Sequence, residues 1–74
     1  MATLRGLREA ADMTQEQLAT KVGVKPARIA DWERGAEQPE TREIGLLALA
    51  LGVTPPRLQE ALARRDPAGG DGGE

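Results

Sequence analysis

The chain is divided into short lengths by residues that start and stop helices. Gly23, Gly35 and Gly52 each follow a stretch of helical apolar spacing. Glycine enters the left-handed conformation that closes a helix without a steric penalty, so each of them reads as a stop. Thr3, Thr14 and Thr54 stand where N-caps belong, and Pro26 and Pro55 fit first helical turns, where a missing N–H costs nothing. Thr14-Gln15-Glu16-Gln17 is a capping box.

The punctuation predicts five helices. The first carries Leu4, Leu7 and Ala11 and ends at Asp12-Met13. The second buries Leu18, Ala19 and Val22, and the third Ile29 and Trp32. After the loop Ala36–Pro39 a fourth starts at Glu40 or Thr41, with Ile44, Leu47, Ala48 and Leu51 on one face. The fifth holds Leu58, Ala61 and Leu62. No segment alternates as a strand does.

Helices this short are unstable alone and must share one core. With one Trp and no Phe or Tyr, that core is aliphatic. We expect it to contain Leu4, Leu7, Met13, Leu18, Ala19, Val22, Val24, Ile29, Trp32, Ile44, Leu47, Ala48, Leu51, Val53 and Leu58. The expected fold class is all-α, a compact five-helix bundle over residues 1–65. Residues 66–74 hold four glycines and no large apolar side chain, and read as a disordered tail.

Composition narrows the chemistry. There is no Cys, His or Ser, so neither a thiolate nor an imidazole metal site nor a serine or cysteine nucleophile is available. Glu33, Glu37, Glu40 and Glu43 lack the pattern of a calcium loop and read as solvated surface. We expect no enzyme, no metal and no cofactor. No apolar run is long enough to span a membrane, and no signal peptide is visible, so a cytoplasmic, nucleoid-associated location is the expectation. The net charge is −2, but Asp66, Asp71 and Glu74 lie in the tail. Over residues 1–65, ten Lys and Arg face nine Asp and Glu, which leaves +1.

The short turn Gly23-Val24-Lys25 joins a capped helix to a second short helix, which is the helix-turn-helix pattern. Such a turn forces a steep crossing, and Leu18, Val22, Val24 and Ile29 lock it from inside. The outer face of the second helix is then a ridge suited to the DNA major groove. Thr14-Gln15-Glu16-Gln17-Leu18-Ala19, Val22-Gly23-Val24, Ile29, Trp32-Glu33-Arg34-Gly35, Pro39 and Ala50-Leu51-Gly52-Val53 follow in order. Together they resemble the phage Cro and repressor (Xre-like) helix-turn-helix family from Leu4 to about Leu58.

The resemblance implies a lambda-repressor-like DNA-binding domain that acts as a homodimer on promoter operators. It implies that Gln15 touches a phosphate and braces the recognition helix, and that Lys25, Pro26, Ala27, Arg28 and Asp31 reach DNA. It also implies an ion pair between Arg8 and Glu33. This chain departs from its relatives in having Pro26 and Ala27, which cannot hydrogen-bond a base through their side chains. Arg28 is the side chain able to grip a guanine edge with two bonds. Arg34 and Arg42 compensate for a loop, Ala36-Glu37-Gln38, without basic residues.

Leu46 and Leu49 lie opposite the apolar face of the fourth helix, a candidate dimer or partner surface that Leu62 of the fifth helix extends. Two readings follow. One is a transcriptional regulator, a repressor binding duplex DNA as a homodimer on a palindromic operator. The other is a protein-interaction module, antitoxin-like or partner-binding, that keeps the fold with weak or no specific DNA binding.

Overall fold

The computed structural model describes residues 3–64. Among them are five helices and no strand: α1 (Leu4–Ala10), α2 (Gln15–Val22), α3 (Pro26–Arg34), α4 (Thr41–Leu51) and α5 (Pro55–Leu62). The expected tail and the boundary at residue 65 lie outside the described residues.

The starts follow from side-chain chemistry. The Thr3, Thr14 and Thr54 hydroxyls accept from the N–H groups of Gly6, Gln17 and Arg57. The Gln17 side chain accepts in return from the Thr14 N–H at 2.9 Å, completing the capping box. At α4 the N-cap is Glu40, and the Glu43 carboxylate accepts its N–H at 2.8 Å.

The stops share one geometry. Gly23, Gly35 and Gly52 have φ of 87°, 80° and 73°. The residue after each donates its N–H five residues back: Val24 to Ala19, Ala36 to Asp31, Val53 to Ala48. These are Schellman closures, which satisfy carbonyls that the helix leaves orphaned. α1 ends the same way without glycine. Asp12 takes φ 64°, and Met13 donates to the Arg8 carbonyl at 3.1 Å. Asp tolerates this region better than most residues, which explains why the chain turns there.

α2 packs on α3 and α4, α4 on α5, and α1 on α3 and α5. The core is Leu4, Leu7, Leu18, Ala19, Val22, Ile29, Trp32, Leu47, Ala48, Leu51, Leu58, Ala61 and Leu62. Met13, Val24, Ile44 and Val53, also expected inside, are half-buried against it. Leu62 corrects the expected partner face: it is buried, at 8% exposure. The reason is its register. Leu58, Ala61 and Leu62 form an i, i+3, i+4 stripe, so the face that buries Leu58 also buries Leu62.

Two glycines should respond oppositely to alanine. Neither would clash, since a Cβ at Gly23 or Gly45 meets nothing within 4 Å. Gly23→Ala forces a side chain into the left-handed region and should cost about 1–2 kcal/mol. Gly45→Ala sits in ordinary helix inside α4 and should gain up to ~1 kcal/mol. Urea midpoints at unchanged m-value measure both.

Candidate nucleic-acid interface

The α2–turn–α3 unit is held from behind by one polar cluster. Arg8 of α1 donates from Nε to Glu33 Oε2 of α3 at 2.6 Å and from Nη2 to Oε1 at 3.4 Å. Its Nη1 donates to the Met13 carbonyl in the α1–α2 connection at 2.9 Å. Gln15, the first residue of α2, donates from Nε2 to Glu33 Oε1 at 2.9 Å. Arg8 and Glu33 are 8% and 7% exposed. The ion pair expected from the resemblance is therefore formed, and Gln15 braces α3 through it. Glu33 is correspondingly no solvated surface residue.

The cluster decides which face α3 turns outward. At about 100° per residue, Ile29, Trp32 and Glu33 share the inner face, while Ala27, Asp31 and Arg34 stand opposite. Lys25, Pro26 and Ala27 are exposed at its N-terminal end. Lys25 is the N-cap and makes no ion pair among the described residues. Asp31 and Arg34 pair with each other, so the middle of the outer face is close to neutral. Arg42 is exposed in the first turn of α4 and makes no ion pair among the described residues.

Arg28 lies on the flank of this face. Its Nε donates to Glu37 at 3.0 Å, and its Nη2 donates to Glu43 at 3.3 Å. The guanidinium carbon sits 5.1 Å from the centre of the Trp32 ring, a cation–π geometry. Trp32 itself is buried as expected, and its indole N–H has no acceptor among the described residues. Sequence reasoning missed the roles of Glu37 and Glu43. Glu43 is largely withdrawn from bulk water: its side chain is 15% exposed, and it both caps α4 and holds Arg28. The spacing Glu40-x-x-Glu43 ahead of an apolar run was the available signal for the cap. Nothing local signals the pairing across nine residues with Glu37 or fifteen with Glu43.

Leu46 and Leu49 do face outward from α4, at 36% and 81% exposure. A shallow surface depression of about 410 Å³ lies between the α1–α2 connection and α2, lined by Asp12, Met13, Glu16, Gln17, Thr20 and Lys21. No group of three or more carboxylates able to hold a metal occurs among the described residues.

Removing one partner of the cluster should cost far more than replacing the pair. Arg8→Met leaves the Glu33 carboxylate buried with only the Gln15 amide, and should lose about 3–5 kcal/mol. The double variant Arg8→Met/Glu33→Leu should recover most of that. Thermal melting of these two variants and of Glu33→Leu, followed by far-ultraviolet circular dichroism, gives the values and their coupling.

Comparison with known proteins agrees with this architecture. A helix-turn-helix family model matches residues 4–58, which takes in all of α1 to α4 and the first half of α5. The endothelial differentiation-related factor 1 homolog of Gallus gallus is 41% identical over 46 residues. The factors of that name from Homo sapiens and Mus musculus are 39% identical over 46 residues. The matched stretch is 62% of this chain and 31% of each relative, so the chain spans about a third of their length. With five helices in this order and the family match over most of its length, the chain belongs to the Cro and repressor-type helix-turn-helix family of DNA-binding domains.

Proposed function

We propose that the protein is a sequence-specific transcriptional regulator, a repressor that binds palindromic operators as a homodimer from the cytoplasmic, nucleoid-associated pool. The observation that carries this reading is the exposed Lys25-Pro26-Ala27 start of α3, a helix whose other end is pinned through Glu33 to Arg8 of α1 and Gln15 of α2. A helix N-terminus with its dipole and a lysine beside it suits a phosphate at the edge of the major groove. Ala27 suits a thymine methyl, Arg28 a guanine edge, and Asp31 a cytosine amino group. Arg34 and Arg42 supply charge toward the backbone. No catalytic step and no cofactor enter this reading.

Leu46 and Leu49 supply the homodimer contact in this proposal. A two-fold interface uses the same patch on both copies, so one apolar patch per chain is sufficient. Two recognition helices would then meet successive major grooves about 34 Å apart. The double variant Leu46→Asp/Leu49→Asp should sediment as a monomer and lose binding to a two-half-site operator. A dimer that survives both substitutions removes this interface from the proposal.

A second reading has one observation in its favour. Leu49 is 81% exposed in a chain of net charge −2, a surface suited to a protein partner. Selection of bound duplexes from a random pool separates the readings. The regulator should enrich a two-fold symmetric site with half-sites about 10 base pairs apart. Arg28→Ala should then weaken that site about 10- to 100-fold, as loss of one bidentate base contact does. Lys25→Ala should weaken all duplexes alike and lower the salt slope by about one. The interaction module should enrich nothing, and Arg28→Ala should leave it unchanged.

A further inference from the structure

Arg28 is the recognition-helix side chain best able to read a base, yet it is held by its own protein. Its Nε lies 3.0 Å from Glu37 Oε1, and its Nη2 lies 3.3 Å from Glu43 Oε2. The Nε–Nη2 edge is one of the two forks with which a guanidinium takes a guanine edge or a phosphate. Both donors of that fork are occupied by carboxylates. The guanidinium also lies over Trp32, with the ring centre 5.1 Å from the central carbon. The three partners come from three places: Trp32 from α3, Glu37 from the loop after it, and Glu43 from the first turn of α4.

We propose that Glu37 and Glu43 form an acidic clamp that masks Arg28 until DNA displaces them. The carboxylates stand where phosphate oxygens, or O6 and N7 of a guanine, would otherwise accept from the same fork. The clamp rests on the DNA-binding reading and deepens it by adding regulation to the same site. Its two arms differ in strength. The Glu37 side chain is 52% exposed, and a pair exposed to that degree exchanges readily with competing anions. The Glu43 side chain is 15% exposed and is fixed by its second bond to the Glu40 N–H. Glu37 is therefore the arm that opens, and Glu43 is the hinge on which Arg28 turns. The clamp also gives the acidic loop between α3 and α4 a role at the edge of the recognition face. A recognition arginine neutralised in the free protein has less attraction for arbitrary duplex, and releases only where DNA supplies better acceptors.

The test is a double-mutant cycle read by binding to a mixed-sequence duplex of ~30 base pairs, about three helical turns, at ~50 mM salt. Glu37→Gln and Glu43→Gln keep shape, and the amide that Glu43→Gln introduces retains an oxygen for the Glu40 N–H. Thermal melting checks that each variant folds; if Glu43→Gln does not, Glu37→Gln alone carries the cycle. With Arg28 present, the double Gln variant should bind about three- to ten-fold more tightly than the unaltered chain. With Arg28→Met, which keeps an aliphatic stem over Trp32, the gain should fall below about twofold. An equal gain in both backgrounds shows simple repulsion of phosphate and overturns the clamp. Binding of the unaltered chain with no gain from either Gln variant also overturns it, and leaves the DNA reading in place. Failure of every variant to bind any duplex overturns the DNA reading and the clamp with it.

Discussion

The Arg8–Glu33 pair is the interaction on which the remainder of the molecule depends. Each helix here is two to three turns long and has little stability of its own. Apolar burial pulls such helices together, but it is non-directional and tolerates several packings. A buried charge does not. Glu33 must be met by Arg8 at 2.6 Å and Gln15 at 2.9 Å or be left uncompensated away from water. The arrangement of α1, α2 and α3 in the structure brings those three side chains together. The cluster thus converts a loose apolar association into a fixed crossing of α2 and α3. Its net contribution to stability is small beside the cost of breaking it, and its effect is on which packing wins.

That crossing has a direct consequence for the surface. Glu33 shares its helical face with Ile29 and Trp32, so burying it turns Ala27, Asp31 and Arg34 outward. The same rotation leaves Lys25 and Pro26 at the open end of α3. A helix held by its apolar residues alone could rotate by a fraction of a turn with modest loss. A helix held by a charged side chain with hydrogen bonds to two neighbours cannot. Orientation of the recognition face and burial of an ion pair are one constraint seen from two sides.

The sequence was most legible where the structure is local. A threonine cap, a capping box and a glycine stop involve residues within five positions of one another, and all of the expected ones are formed. The inner faces followed from periodicity, because the side chain at one core position fixes those three and four away. Leu62 reads both with Leu58 and Ala61 and with the outer face of α4, and the structure takes the first, because Leu58 already sets the direction of that stripe. Asp12 was read as an ending but not as a left-handed residue, since only glycine signals that conformation reliably. The Arg8–Glu33 pair spans 25 residues and was accessible only through family resemblance. The partners of Arg28 were not accessible at all. Glu37 and Glu43 look like solvated carboxylates until the α3–α4 turn folds them back toward Arg28 and Trp32.

Charge placement in this nearly neutral domain ties up much of its positive charge in pairs. Several of its arginines are engaged within the chain: Arg8 by Glu33, Arg34 by Asp31, Arg28 by Glu37 and Glu43. These pairs differ in what it takes to undo them. The first is buried and structural, with both side chains at or below 10% exposure. The others are partly exposed, and their partners compete with solvent and with any anion that approaches. On the proposed reading, a duplex at α3 would meet Lys25 and Arg42 without ion pairs among the described residues, and Arg28 by displacing its carboxylates. Little positive potential is then offered at a distance, which on this reading keeps affinity for arbitrary DNA low. On the same reading, discrimination would come from the exchange at Arg28, which succeeds only where acceptors on the duplex match the geometry of the ones they replace.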